Sequence, residues 1–130
     1  MNTYEIIIIA VFLFLIVTLN PLGDAIRDNG NKRLQKTIEI FRDIAFFILI
    51  FIAPKTLTFV ICFALAYLAF RIAFHNVAYN LSRKPRLPWH YIGTTSISDD
   101  VESKINKVEV LIYRIISFVF GIVILWLSFK

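Results

Sequence analysis

Residues Ile6 to Leu19 read IIIIAVFLFLIVTL, fourteen positions without one charged side chain. In water such a run would have to be solvated on every face, so it fixes lipid or a protein interior as its surroundings. With Tyr4, Glu5, Asn20 and Pro21 at its borders, it is just long enough to span a hydrocarbon core of ~30 Å. The rest of the chain settles which surroundings apply. Over 130 residues, 58% are hydrophobic, 15% are aromatic and the mean hydropathy is +0.74, whereas a soluble domain is roughly half apolar or less. The expectation is a single helical membrane domain over residues 1–130, of all-α class.

Further apolar stretches set the number of crossings. Thr56 to Phe74 gives nineteen residues interrupted only by Arg71, and Val110 to Phe129 gives twenty with Arg114 near the start. A cleaved signal peptide is the rival reading of the first run, but no Lys or Arg precedes it and no small-x-small motif follows, which favours a crossing. The stretch Thr37 to Lys55 is ambiguous, because only Ile44 to Ala53 is uncharged, about 15 Å of helix.

Charge topology bears on that stretch. Arg27, Lys32, Arg33, Lys36 and Arg42 fall in the first polar connection, and Arg83, Lys84, Arg86, Lys104 and Lys107 in the second. Short basic loops stay cytoplasmic, so an even number of crossings separates them. A hairpin satisfies this: Leu34 to Ala53 goes out, Pro54 and Lys55 turn, and Thr56 to Phe74 returns. Four transmembrane helices follow, with both termini outside; three crossings plus one interfacial or re-entrant helix is the alternative.

Polar residues near or within the spans are Asn20, Asp43, Arg71, His75 and Arg114. The sequence predicts a short polar helix from Pro21 ending at Asn29-Gly30, with Asp24 and Asp28 on one face and Arg27 between them forming local salt bridges. Arg42 is expected to reach Glu39 one turn earlier, and Arg71 either snorkels to the headgroups or pairs with Asp43. At 100° per residue, Arg71, His75, Asn76, Tyr79, Asn80 and Arg83 share one half of the third helix, a stripe read as structural, with a conducting or ligand-contacting role as the alternative. The two histidines, His75 and His90, carry no metal-ligand spacing, and Cys62 has no second cysteine to pair with. Nucleophile, P-loop and dinucleotide motifs are lacking too, so no catalytic residue, metal or cofactor is expected. The net charge of +5 is read as matching anionic lipid headgroups, not nucleic acid, because the basic residues flank membrane helices.

The stretch Leu87 to Asp100, LPWHYIGTTSISDD, reads as a connection along the membrane surface. Pro85 and Pro88 disfavour helix, and Trp89 and Tyr91 suit the interface. Ser98 or Asp99 is expected to cap a following helix, with Glu102 in capping-box spacing and an apolar stripe through Val101, Ile105, Val108, Ile112 and Ile115. Backbone N–H groups around Gly93, Thr94, Thr95 and Ser96, near Arg83, Lys84 and Arg86, form a candidate contact for a lipid headgroup or a partner.

The string RIAFHNVAYNLSRKPRLPWHYIGTTSISD, Arg71 to Asp99, with GDAIRD at Gly23 to Asp28, resembles small uncharacterised multi-pass membrane proteins of phage-type and Bacteroidetes-type genomes. His75 stands where that pattern would carry an acid. The resemblance implies a bacterial inner membrane or a phage-associated membrane and brings no activity with it. The leading functional expectation is a non-enzymatic structural or accessory component, homo-oligomeric or part of a larger membrane complex. A holin-like pore former is a second reading, and a small transporter, lipid-modifying enzyme or lipid-interacting protein a third.

Overall fold

The computed structural model describes residues 3–90, 104 and 106–130. Four helices carry these residues: α1 Thr3–Asp28, α2 Lys32–Ile52, α3 Leu57–Ser82 and α4 Lys107–Ser128. The all-helical class is as the sequence predicts, and α1, α3 and α4 are long and apolar enough to cross a membrane.

The predicted short polar helix beginning at Pro21 does not exist as a separate element, since α1 runs through Pro21 without a break. Pro21 leaves the Val17 carbonyl without its helical donor. Ending the helix there would instead orphan up to four carbonyls and, at the next helix start, four N–H groups. In apolar surroundings the single lost bond is the smaller cost. The expected stop two turns later is found. Gly30 adopts φ +86°, its N–H donates to Arg27 O at 2.9 Å, and Asn31 N–H donates to Ile26 O at 3.1 Å, the paired bonds of a Schellman motif. Asn31 then caps α2 by accepting from Leu34 N–H at 3.1 Å, so one residue serves two helices.

The tight turn predicted at Pro54 and Lys55 is also present. Ala53 N–H closes α2 on Leu49 O at 2.9 Å, and the Thr56 hydroxyl accepts from Phe59 N–H at 3.3 Å to open α3. The Asp99 and Glu102 cap expected for the last helix lies outside the described residues. α4 itself starts on Asn106, whose side chain accepts from Val108 and Glu109 N–H at 3.0 Å. Glu109 returns a bond from Asn106 N–H at 2.9 Å, completing a capping box.

In cross-section the order is α2, α1, α3, α4, with α1 packed on α2 and α3, and α3 on α4. α1 buries Ile9, Leu13, Ile16 and Val17, spaced to form one helical stripe. Ile9 and Ile16 meet Ala45 and Leu49 of α2 and Phe59 of α3; Leu13 and Val17 meet Ala66 and Phe70 of α3 and Leu125 of α4. α2 is antiparallel to α1 along its length: Ile38 lies against Gly23, Arg42 against Asn20, and Leu49 in one cluster with Ile9. Small residues close the α3–α4 seam, where the Phe70 ring fills the space a Cβ on Gly121 would take. The outer faces stay apolar, with Phe14, Phe47, Phe51, Val60, Ile116, Phe120 and Trp126 more than half exposed. Large exposed apolar surface of this kind marks protein–protein or membrane contact.

Candidate functional site

Two polar assemblies interrupt the apolar bundle. The first joins the ends of α1 and α3. Asp28 accepts from the Tyr79 hydroxyl, from Arg27 Nε at 3.3 Å and lies 3.7 Å from Arg83 Nη1. Arg27 also meets Asp24 at 3.3 Å, the local salt bridging the sequence predicts. Asn29 donates through Nδ2 to Ser82 O at 3.1 Å and accepts from Lys84 N–H at 2.9 Å, clasping the C-terminus of α3 on both sides. These bonds gather the α1–α2 turn, the start of α2 and the basic stretch after α3 at one end of the molecule.

The connection after α3 is then folded back over α3 and α4. Leu87 N–H donates to Asn80 O at 3.0 Å. The Trp89 carbonyl takes Arg114 Nη1 at 3.0 Å and Asn80 Nδ2 at 3.4 Å, and the Arg114 guanidinium also lies 5.9 Å from the centre of the Trp89 ring. Arg114 and Asn80 are 4% and 1% exposed, so these polar groups are sealed inside.

Of the predicted headgroup residues, Arg83 is engaged by Asp28 and stacks over its own Tyr79 ring at 5.8 Å, while Lys84 and Arg86 are exposed. Gly93, Thr94, Thr95 and Ser96 lie outside the described residues. The polar stripe of α3 is divided: Tyr79, Asn80 and Arg83 turn inward to α1 and the connection, His75 and Asn76 are half-buried, and Arg71 is exposed.

The second assembly joins three helices. Asn20 on α1 donates to the Tyr67 hydroxyl on α3 at 3.1 Å and accepts from Arg42 Nη1 on α2 at 2.9 Å. Arg42 does not reach back to Glu39, as the sequence suggests. Its Nε and Nη2 grip Asp43 Oδ1 at 2.9 and 2.7 Å, and Glu39 instead accepts from Gln35 at 2.7 Å. Asp43 is thereby occupied by its chain neighbour and not by Arg71.

This polar layer closes one end of a cleft of about 620 Å³. α2 and α3 touch near their shared turn but separate below it, so α1 floors the gap with Ile16 while Phe46, Leu49 and Ile50 wall one side and Phe59, Phe63 and Ala64 the other. Pro54 and Lys55 lie at the opposite end from Asn20 and Arg42. The sequence singles out Asn20 and Asp43 but not Tyr67, whose hydroxyl sits inside an apolar run with nothing nearby in sequence to mark it. Among the described residues, no group of three His, Cys, Asp or Glu side chains is placed to hold a metal ion. Comparison with known proteins finds no matching family model, no similar curated protein and no similar solved structure.

Proposed function

We propose that this chain is a four-crossing integral membrane protein, a non-enzymatic accessory or structural component of a membrane assembly, held with its basic end against an anionic leaflet. The observation that carries this reading is the antiparallel alignment of α2 with α1. A helix lying on the membrane surface would cross α1 steeply; one that runs beside it shares its orientation. If α1 crosses, α2 crosses with it, and the charged first half of α2 is eased by the Arg42–Asp43 pair and its bond to Asn20. Lys32, Arg33 and Lys36 then share one side with Lys84 and Arg86, as the positive-inside rule asks.

The accessory reading is favoured over a pore because Tyr79, Asn80 and Arg83 spend their polarity on Asp28 and Trp89 within one chain. The outward Phe and Ile faces suit lipid or other membrane helices. An origin in a phage-type or bacterial inner membrane, as the Arg71 to Asp99 resemblance implies, belongs to the same proposal.

Site-directed labelling tests the topology. In a Cys62→Ser background, single cysteines replace Lys55 at the α2–α3 turn, Asn31 between α1 and α2, and Lys84 after α3. A membrane-impermeant maleimide is expected to label Lys55→Cys from one side and Asn31→Cys and Lys84→Cys from the other. Labelling of all three from the same side would sink the four-crossing reading. Induced expression adds the functional arm: unchanged membrane potential is expected, and rapid dye leakage would move the assignment to a holin-like pore.

A further inference from the structure

The cleft between α2 and α3 carries enough polar detail to select an occupant. Its body is apolar and aromatic, lined by Phe46, Phe59 and Phe63, and it opens sideways between two helices. In a bilayer that opening faces lipid, so the cleft is filled from the hydrocarbon and not from water.

The polar end decides the head group. Arg42 and Asp43 are joined at two points, 2.9 and 2.7 Å, and so present no net charge. An anionic head gains from Arg42 what it loses to Asp43, which disfavours fatty acids and phospholipid phosphates.

The remaining bonding capacity is mixed. A guanidinium has five N–H donors, and Arg42 uses one each on Asn20 and at Asp43 from Nη1, Nε and Nη2, leaving two. Tyr67 accepts from Asn20, and its own hydroxyl hydrogen has no acceptor among the described residues. Asp43 is held through Oδ1 alone, so Oδ2 remains as an acceptor. A neutral ring bearing carbonyl oxygens would take the surplus donors, and the same ring bearing hydroxyls would also find Asp43 Oδ2.

We infer that this cleft binds a quinone-type lipid, its ring seated among Tyr67, Asn20 and Arg42 between the phenylalanine walls, and its isoprenoid tail leaving between α2 and α3. A volume of about 620 Å³ lies within the usual range for small-molecule sites. The inference rests on the proposed crossing of α2, which turns the open side of the cleft toward lipid.

Binding is measured on the full chain in nanodiscs by native mass spectrometry and by thermal shift. The probe is a benzoquinone carrying one isoprene unit, with oleate and dioleoylglycerol as comparators. The quinone is expected to bind one per chain and raise the melting temperature, with oleate and dioleoylglycerol at least tenfold weaker. Ala64→Phe places a ring in the cleft from an exposed position without touching the polar layer, and should abolish binding while leaving the ligand-free melting temperature near that of the parent. Tyr67→Phe removes one donor to the ring and should weaken binding about five- to tenfold. Equal quinone affinity in the parent and Ala64→Phe, or oleate binding as tightly as the quinone, overturns the assignment. The labelling pattern is read on the same preparations, so correct topology without quinone binding refutes this inference alone, and incorrect topology with quinone binding refutes only the crossing.

Discussion

Arg114 shows what a single charged side chain does when water is excluded from it. At 4% exposure its charge is tolerable only because its donors are met, and Nη1 is met by the Trp89 carbonyl at 3.0 Å. The connection after α3 is thus pinned to α4 by one guanidinium whose aromatic neighbour adds a cation–π contact. Replacing Arg114 with Met keeps the length and removes the donor, leaving the carbonyl, among the described residues, with the 3.4 Å bond from Asn80. The expected cost is about 1–3 kcal/mol. In a Trp126→Phe background Trp89 is the remaining tryptophan, since the chain has two. Its emission should shift to the red in Arg114→Met as the ring is released toward solvent. Unchanged emission and unchanged melting would show that Arg114 does not hold this connection. Arg114 is marked in the sequence as a lone cation in an apolar run, so its importance was legible there. Its partner was not, because a backbone carbonyl 25 positions away leaves no trace in residue type.

Element boundaries were legible wherever a cap wrote them into the sequence. Gly30 stops α1, Pro54 forces the α2–α3 turn, and Thr56 opens α3. Pro21 misleads because its local rule, that proline ends a helix, assumes water is there to satisfy the freed groups. Asn106 and Glu109 also carry a four-residue capping signature, and the structure places a capping box there. Helix contacts were less legible still. Gly121 is one of four glycines, and nothing in its surroundings in sequence signals that a Cβ there would lie 2.9 Å from the Phe70 ring. Phe70 is buried and in ring contact with Phe118 at 5.8 Å, so it yields only by disturbing the seam. Gly121→Ala is expected to lower stability by about 1–3 kcal/mol, read as earlier thermal unfolding in detergent. Adding Phe70→Leu should recover part of that loss, a non-additivity of the kind neighbouring residues show. Simple additivity of the two changes would mean that α3 and α4 do not meet at Gly121.

At the scale of the whole molecule, the sequence places ten basic residues in two connections without marking which of them hold the fold together. The structure divides part of them. Arg83 sits 3.7 Å from Asp28, with the two side chains 26% and 33% exposed, and contributes to the clasp between α1 and α3. Lys84 and Arg86 are exposed at the same end, beside Lys32, Arg33 and Lys36. These roles separate under mutation. Lys84→Gln with Arg86→Gln should leave melting in lipid-free detergent unchanged while weakening retention of anionic lipid. At ~1 kcal/mol for each cation near an anionic surface, the pair accounts for roughly a thirtyfold change in affinity, with the cations of α2 supplying the rest. Arg83→Gln should do the reverse, lowering stability by up to about 1 kcal/mol, as befits a partly exposed ion pair, and leaving lipid retention as it was. Raising the ionic strength should reproduce the double variant's loss in the parent, because exposed charges are screened within a Debye length of about 8 Å at physiological salt. Native mass spectrometry of all three proteins from phosphatidylglycerol nanodiscs, paired with thermal melts in detergent, measures both quantities. If the double variant keeps the parent's lipid occupancy, the basic end is not a headgroup surface, and its exposed cations would have to act on topology alone.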